Sequence, residues 1–330
     1  MSGAAAAAPG PGDPASAAVA RTVFFGSGSF AVPVLEALTE LPIVRVVAVV
    51  SAPDRPAGRK AVLTPTPVTV RGHELGLAVL QPVRVRRPEA VEELSALAPD
   101  LVVLADYGQL IPRALLELPP RGFLNLHPSA LPRHRGAAPI PATIVAGDRE
   151  SAVTLMVVTE EMDAGPIVAV EPFEVRLDDT AATLELRAAE AAARLLRRAL
   201  PEWLAGGLEP RPQSSEGVTL TRPLSREDGR LMAGDALDPA AFERRVRAYQ
   251  PWPGSFLDTP IGRLVIWRAV PAPAESGDVP DRIVAHGAGL ALTGPSGRVV
   301  LEEVQLAGRR RVSGAELRRG YPGLVGSRLG

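Results

Sequence analysis

Short apolar runs alternate with longer amphipathic segments along the first two thirds of the chain. Runs such as Leu101–Ala105 have no polar side chain, which is typical of strands buried on both faces of a sheet. Strands alternating with helices predict an α/β domain with a doubly wound, mostly parallel sheet. The predicted strands are Thr22–Phe25, Val44–Ser51, Leu101–Ala105, Gly122–His127 and Val153–Val158. The predicted helices are Ala31–Leu38, Pro88–Ala98, Pro112–Leu118, Pro139–Ala146 and Thr180–Ala205.

The pattern changes after Gly206-Gly207, where a proline-rich polar stretch predicts an interdomain linker over residues 208–217. Beyond the linker, short apolar runs and one clear helix, Pro239–Tyr249, predict a small β-barrel of the OB type. We therefore expect a disordered tail over residues 1–20, a first domain over 21–207 and a second domain over 218–330. The predicted barrel strands are Arg263–Arg268, Leu290–Thr293 and Arg298–Val304.

The composition fits a soluble two-domain protein, with 330 residues of which 46% are hydrophobic and 22% charged. No apolar run reaches the roughly 18–20 residues that cross a bilayer, so no membrane segment is predicted. The first basic residue is Arg21, which argues against a secretory signal. The chain has no cysteine, which fits the reducing cytoplasm, and its four histidines make a histidine-built metal site an unfavoured interpretation.

Basic residues are almost all arginine, because Lys60 is the only lysine. Arginine's forked donors suit phosphate groups, although a genome that avoids lysine codons produces the same composition. The net charge of −1 gives no overall signature of nucleic-acid binding. Charge alone therefore permits a polyanionic partner without requiring one.

The loop Gly26-Ser27-Gly28-Ser29-Phe30-Ala31 joins the first strand to the first helix and has the outline of a dinucleotide-binding turn. That function needs an acidic residue at the end of the second strand to hold the ribose. The next acid, Asp54, lies beyond a proline and past the end of that strand. A tight strand-to-helix turn favours glycine for steric reasons alone. NAD binding is therefore not the favoured interpretation.

Asn125 and His127 stand two residues apart at the end of a predicted strand, so their side chains point to the same face. Asp163 follows in a loop bounded by glycine. These residue types suit acyl transfer to an amine. The imidazole can take a proton from the attacking nitrogen, the amide can donate to the oxyanion of a tetrahedral intermediate, and the carboxylate can orient the imidazole. The spacing alone also allows that His127 packs or caps and that Asp163 caps a turn.

Three longer stretches carry a resemblance to the methionyl-tRNA formyltransferase family, which belongs to the folate-dependent formyltransferases. They are SAPDRPAGRKAVLTPTPV, NLHPSALPRHRGAAPI and VVTEEMDAGPI. In the second domain, RVRAYQPWPGSF and VQLAGRRRVSGAELRRG are similar to the same family, so the resemblance extends from about Arg21 to Gly320. It implies a Rossmann-like formyltransferase domain followed by a tRNA-binding β-barrel. The implied reaction transfers the formyl group of 10-formyltetrahydrofolate to the methionine amino group of initiator Met-tRNA.

The resemblance also assigns roles. Asn125, His127 and Asp163 fall on the family's catalytic trio. The implied folate-binding residues are Ser129, Ala130, Leu131 and Pro132, with Leu110, Ile111, Thr159 and Met162. The implied tRNA-binding residues are Arg59 and Lys60 in the loop Asp54–Leu63, and Arg309, Arg310 and Arg311 in the second domain. No metal is implied, the initiator tRNA is the implied partner, and a cytoplasmic monomer is expected.

Several positions depart from the family pattern. The first loop usually reads Gly-Thr-Pro-acid-Phe-Ala, whereas this chain has Gly28 for the proline and Ser29 for the acid. We expect a more flexible loop with one negative charge fewer. Ala61 and Val62 replace two lysines, which predicts weaker and less salt-dependent tRNA binding.

Other functions share parts of this pattern. A nucleotide-sugar N-formyltransferase uses the same donor and fold with a sugar amine as acceptor, but PDRPAGR, LTPTPV and the second domain argue against it. Water could instead act as the acceptor, which would make the protein a hydrolase. A catalytically silent RNA-binding protein is disfavoured because Asn125, His127 and Asp163 are all present.

Overall fold

A computed structural model describes residues 19–57, 61–232, 234–235 and 238–328. The first domain alternates strands and helices along its length. Its strands are β1 (Ala20–Gly26), β2 (Val44–Val50), β3 (Arg55–Ala57), β4 (Val62–Thr64), β5 (Val79–Leu80), β6 (Leu101–Ala105), β7 (Phe123–His127), β8 (Arg135–Gly136), β9 (Glu150–Val157) and β10 (Ile167–Glu174). Its helices are α1 (Ala31–Glu40), α2 (Pro67–Glu74), α3 (Pro88–Ala96), α4 (Arg113–Leu116), α5 (Pro139–Ala146) and α6 (Ala181–Leu204).

The main sheet has the strand order β10-β9-β7-β6-β1-β2-β5. Five strands pair in parallel, in the order β5, β2, β1, β6 and β7. At the β7 side of the sheet, β9 pairs antiparallel with β7, and the edge strand β10 pairs antiparallel with β9. The predicted doubly wound, mostly parallel sheet is confirmed. The strands β1, β6 and β7 run in the same direction, so their carboxyl ends lie side by side. Open α/β sheets bind their ligands at that end of the strands.

The period of two along each strand divides the apolar side chains between two cores. In β1, Phe24 packs with α1 and α6 on one face, while Val23 and Phe25 pack with α3 and α4 on the other. In β7, Leu124 and Leu126 face the α1/α6 core. The alternate residues of β7 therefore point to the α3/α4 side.

The second domain forms an antiparallel sheet around its own core. Its order is β12-β13-β16-β15-β14, and a further short strand, β17, pairs with β16. The expected second, β-rich domain is confirmed. The strands are β12 (Ser255–Thr259), β13 (Gly262–Ala272), β14 (Ile283–His286), β15 (Gly289–Gly294), β16 (Gly297–Leu306) and β17 (Val312–Ser313). The helices are α7 (Pro239–Ala248), α8 (Gly314–Gly320) and 3-10 turns at Arg226–Gly229 and Pro322–Leu324.

The two domains contact each other through α5 and α7. Arg244 Nε donates to the Val145 carbonyl at 3.1 Å, and Arg247 Nη1 donates to the Asp179 carbonyl at 2.7 Å. The predicted linker is attached to the first domain, because Arg211 pairs with Ile167 at the start of β10. A short strand, β11 (Leu220–Thr221), pairs in parallel with β8 of the first domain.

Several short strands and three longer elements, α2, β10 and α8, were not predicted. Helix α2 begins in a proline-rich segment, where Thr66 caps its first turn and Pro67 occupies the first helical position. Strand β10 contains Pro172, which is tolerated because β10 is an edge strand. Within the described ranges, no helix is both long and apolar enough to cross a membrane.

Helix α6 offers a matched test of the core. Leu196 is fully buried, whereas Leu186 on the same helix is 64% exposed. We expect Leu196→Ala to lower the free energy of unfolding by about 2–5 kcal/mol, because it leaves a cavity. Leu186→Ala is expected to change it by about 0.5 kcal/mol or less. Urea unfolding of both variants measures the difference, and equal losses would contradict this assignment of the helix faces.

Candidate active site

Two polar side chains occupy the carboxyl end of β7. Asn125 is 7% exposed and His127 is 5% exposed, and both alternate with the leucines that face the α1/α6 core. Burial of polar groups this deep in a protein costs free energy of folding unless they form hydrogen bonds. Their common face is the one that the spacing of the sequence predicts.

Asp163 reaches the same place from the loop between β9 and β10. Its Oδ2 accepts the backbone N–H of Gly136 at 2.8 Å and lies 3.6 Å from Nδ1 of His127. Its Oδ1 accepts the amide Nδ2 of Asn125 at 3.4 Å. The residue has φ of +51°, a conformation uncommon outside glycine, so the surrounding contacts hold the loop in one shape. The three side chains of the predicted trio therefore meet at one carboxylate.

The hydrogen bond of His127 Nε2 indicates the form of the ring. Nε2 lies 3.0 Å from the carbonyl oxygen of His134, which can only accept, so Nε2 carries the proton. Nδ1 is then an unprotonated acceptor that faces Asp163. Burial lowers the pKa of His127, although the Asp163 charge and the His134 carbonyl oppose that shift. The neutral imidazole, which can accept a proton, is therefore favoured at physiological pH.

The amide of Asn125 has capacity left for a substrate. Its Oδ1 is buried and has no hydrogen-bond partner among the described residues. Its Nδ2 has a second hydrogen besides the one directed at Asp163. An unpaired buried polar atom is rare in folded proteins and indicates a bound group or water. The chemistry of this amide fits a substrate that presents both a donor and an acceptor.

The predicted folate segment is held by hydrogen bonds from inside the protein. Ser129 is fully buried, and its Oγ donates to the Arg133 carbonyl at 2.7 Å. Thr154 Oγ1 donates to the Ser129 carbonyl at 2.7 Å and accepts the backbone N–H of Leu131 at 3.3 Å. The Leu131–Pro132 peptide bond is cis. Ser129 and Leu131 thus support the loop from inside, while Ala130 is exposed.

The other predicted folate residues lie in the loops that follow β6 and β9. Leu110 is 67% exposed and Met162 is 51% exposed, so two large apolar side chains are accessible in these loops. Ile111 is half-buried against the α3/α4 core. Thr159 is exposed and donates from Oγ1 to the Glu161 carbonyl at 3.2 Å.

In the first loop, glycine at position 26 is required for steric reasons. A Cβ on Gly26 would stand 2.7 Å from the Phe24 ring and 3.0 Å from the Ala105 carbonyl, so only glycine fits there without displacement. Asp54, the acid considered for a ribose, accepts the Gln81 amide at 2.8 Å. Within the described residues, no group of three or more His, Cys, Asp or Glu side chains is placed to hold a metal ion.

Two carboxylates flank this loop. Asp106, at the end of β6, lies against Gly28, and Ser29 donates to the Glu185 carboxylate on α6. Although Asp106 is solvent-accessible, protein atoms crowding its carboxylate raise its pKa, the Glu185 charge raises it further, and the Gly28 N–H lowers it. Two acids from other elements therefore lie beside the loop at the position where the family pattern has an acid. Ser29 is hydrogen-bonded to Glu185, and the Gly28 N–H to Asp106.

The predicted tRNA residues differ in their surroundings. Arg59 and Lys60 lie outside the described residues. Arg310 forms an ion pair with Glu316 at 3.0 Å. The Arg311 guanidinium stacks 3.4 Å from the centroid of the Trp267 ring. The exposed Arg309 side chain makes no hydrogen bond or ion pair within the described ranges.

Sequence reasoning missed four residues that support the site: Asp106, His134, Gln213 and Thr219. His134 supplies the carbonyl that fixes the His127 ring, Gln213 contacts the site from the predicted linker, and Thr219 contacts it from just beyond that linker. A polar residue in a linker has no periodicity that marks it. The proline-rich composition around Gln213 instead favoured an exposed connection.

Two protein-family models match the chain. One, described as formyl transferase, matches residues 20–200, and the other, described as formyl transferase, C-terminal domain, matches residues 226–322. The unmatched interval, residues 201–225, includes the predicted linker.

Curated relatives match nearly the whole chain. A methionyl-tRNA formyltransferase of Thermus thermophilus is 42% identical over 94% of this chain and 99% of its own length. A methionyl-tRNA formyltransferase of Myxococcus xanthus is 41% identical over 93% of this chain and 97% of its own.

Solved structures share the fold at low sequence identity. WlaRD, a sugar 3N-formyltransferase, has a TM-score of 0.65 and 13% identity over 89% of this chain and 100% of its own. An N-formyltransferase of Helicobacter canadensis, in complex with folinic acid and dTDP-3-aminofucose, has a TM-score of 0.63 and 15% identity over 86% and 98% of the two chains. HypX of Aquifex aeolicus, in complex with tetrahydrofolic acid, has a TM-score of 0.59 and 18% identity over 93% of this chain and 48% of that chain, so this chain spans about half of HypX.

The contact between Gly28 and Asp106 predicts coupled substitutions. A Cβ at position 28 would stand 1.8 Å from Asp106 Oδ2, so Gly28→Ala must displace that carboxylate. We expect Gly28→Ala to destabilise the protein by about 1–3 kcal/mol and Asp106→Ala to relieve part of that loss. Urea unfolding of the two single variants and the double variant measures a coupling energy of at least about 0.5 kcal/mol. Strictly additive effects would contradict the contact.

Proposed function

This chain belongs to the methionyl-tRNA formyltransferase family, and we propose on that premise that it formylates the amino group of methionine on initiator Met-tRNA. The proposed donor is 10-formyltetrahydrofolate. Identity of 42% over 94% of the chain and the two family-model matches support the proposal. The single structural observation that carries it is the meeting of Asn125, His127 and Asp163 at the carboxyl edge of the sheet.

The chemistry follows from the protonation state of His127. With its proton on Nε2, the ring presents Nδ1 as the base that takes a proton from the attacking amine. The Asp163 carboxylate, 3.6 Å from Nδ1, stabilises the imidazolium that results. Asn125 Nδ2 donates to the formyl oxygen as that oxygen gains negative charge. No serine or cysteine nucleophile is required, because the amine itself attacks. The bond between the formyl carbon and N10 of the donor then breaks, and the imidazolium would return its proton to that nitrogen as tetrahydrofolate leaves.

The proposed donor site combines backbone groups with accessible apolar side chains. Leu110, Ile111 and Met162 would cover the pterin, and the backbone of the loops after β6 and β9 would read its polar edge. The Ser129–Pro132 segment is held from behind by Thr154, so it presents a fixed surface. When bound, 10-formyltetrahydrofolate supplies the activated formyl group, while the residues of this chain orient it and move the proton.

The acceptor is proposed to contact both domains. Arg59 and Lys60 would contact the acceptor end of the tRNA. In the second domain, Arg309 and Arg311 would contact phosphates, whereas Arg310 is already neutralised by Glu316. We further propose that the protein acts as a cytoplasmic monomer.

A formylation assay tests this function directly. The protein, 10-formyltetrahydrofolate and methionylated initiator tRNA are expected to give formyl-methionyl-tRNA. His127→Ala and Asp163→Asn are each expected to lower kcat by about 10²–10⁴-fold, because both act on one proton transfer. Unfolding curves provide the control for folding. Formylation of amino-sugar nucleotides alone, formate release undiminished by tRNA, or losses below tenfold would contradict the proposal.

The arginines of the second domain give a separate prediction. Arg309→Ala is expected to weaken tRNA binding and reduce the slope of log K against log salt by about one, because one phosphate contact is lost. Arg310→Ala is the matched control, and its effect is expected to be smaller since Glu316 already pairs with that side chain. Filter binding at several salt concentrations measures both variants. A larger effect for Arg310→Ala would contradict this division.

A further inference from the structure

The segment between the two domains forms part of the wall of the candidate active site. Arg211 exchanges two backbone hydrogen bonds with Ile167, both at 2.8 Å, so the segment is joined to the start of β10. Ten residues later, Thr221 lies in β11 beside β8. Between these two anchors, Gln213 and Thr219 each contact a loop that carries or orients a member of the trio.

We propose that Gln213 and Thr219 are positioning residues of the catalytic centre, holding the Asp163 loop and the His134 carbonyl from the interdomain segment. This inference rests on the proposed function and extends it, because nothing in the family resemblance assigned these two residues a role. Neither side chain reaches the reacting atoms. Each acts through another group.

Gln213 fixes the backbone on both sides of the Asp163 turn. Its Nε2 donates to the Asp163 carbonyl and to the Gly165 carbonyl, each at 2.8 Å. Its Oε1 accepts from Arg135 Nε at 3.0 Å and from Arg135 Nη2 at 2.8 Å, so the amide is held in one orientation. Asp163 has φ of +51°, and these contacts to its own carbonyl and to that of Gly165 help to hold that uncommon backbone shape.

Thr219 fixes the loop that holds the imidazole. Its Oγ1 accepts the backbone N–H of His134 at 2.8 Å and lies 3.3 Å from Nδ1 of the same ring. On the other side of that ring, Nε2 lies 3.0 Å from Asp148 Oδ2. His134 has φ of +57°, and its carbonyl lies 3.0 Å from His127 Nε2. The Arg135 N–H, which shares a peptide unit with the His134 carbonyl, donates to the Thr219 carbonyl at 2.9 Å. Thr219 therefore holds the backbone on both sides of His134, with its side chain before that residue and its main chain after it, and so orients the carbonyl that keeps the proton on Nε2.

The contacts of Gln213 and Thr219 act on the two partners of the same proton transfer, Asp163 and His127. Gln213 determines where the Asp163 carboxylate sits, and Thr219 determines which ring nitrogen of His127 faces it. Because a displacement of about 1 Å can cost about 10²-fold in rate, loss of either contact should lower kcat. A segment that only tethered the domains or bound tRNA would change KM for tRNA and leave kcat unaltered.

The test compares two substitutions of Thr219 with a control substitution of Ser215 in the same segment. Thr219→Val keeps the shape and removes the acceptor, Thr219→Ser restores the hydroxyl, and Ser215→Ala removes a hydroxyl from the same segment. Ser215 makes no side-chain hydrogen bond to the site loops within the described ranges. We expect Thr219→Val to lower kcat by about 10–100-fold with KM for tRNA unchanged. Thr219→Ser and Ser215→Ala should remain within about twofold of the parent protein. Gln213→Leu, expected to behave like Thr219→Val, provides a second variant if the first does not fold.

A second readout does not depend on activity. The chain has four histidines, so nitrogen NMR of the unliganded protein can resolve the His127 ring and report which nitrogen carries the proton. We expect Nε2–H in the parent protein and in Thr219→Ser, and a mixed population of tautomers in Thr219→Val. An unchanged tautomer with unchanged kcat, or a change confined to KM, would overturn the inference. If Thr219→Val alters the tautomer but the parent protein does not formylate tRNA, the proposed function is refuted and the positioning role is supported.

Discussion

The hydrogen bond from His127 Nε2 to the His134 carbonyl is the interaction on which the site depends. A carbonyl can only accept, so this bond leaves Nδ1 as the basic nitrogen and turns it toward Asp163. Burial of the ring favours its neutral form, and the nearby carboxylate favours the charged form once a proton arrives. The buried His127 ring is therefore a neutral base before the reaction, and the Asp163 carboxylate stabilises its imidazolium form during proton transfer.

Much of this arrangement could be predicted from the order of residues along β7. Apolar runs located the buried strands, and the period of two placed Asn125 and His127 on one face. The rule that open α/β sheets bind ligands at the carboxyl ends of their strands located the edge. The position of Asp163 did not follow from periodicity, because its loop has none. The chemistry of the three residue types suggested its connection with β7, and the resemblance to a family assigned it.

The supporting contacts could not be predicted because they join residues far apart in the sequence. Thr219 meets His134 across 85 positions, and Gln213 meets the Asp163 carbonyl across 50. Contacts between residues this far apart in the sequence cannot be inferred from local composition. The proline-rich stretch around Gln213 indicated an interdomain linker instead. Helix α2 was missed for a similar reason, since Pro67 begins that helix although proline usually marks a loop.

The first loop illustrates how a site keeps its charge while its residues change. Replacement of an acid by Ser29 removes a carboxylate from the loop, but the serine hydroxyl binds Glu185 on α6. Replacement of proline by Gly28 removes a rigid residue, but it opens the space that the Asp106 carboxylate fills and leaves a backbone N–H for that carboxylate to accept. Each substitution weakens the loop when considered alone. In the structure, however, Ser29 is hydrogen-bonded to a carboxylate of α6 and the Gly28 N–H to the Asp106 carboxylate. Residues at positions 28 and 106 should therefore be judged as a pair.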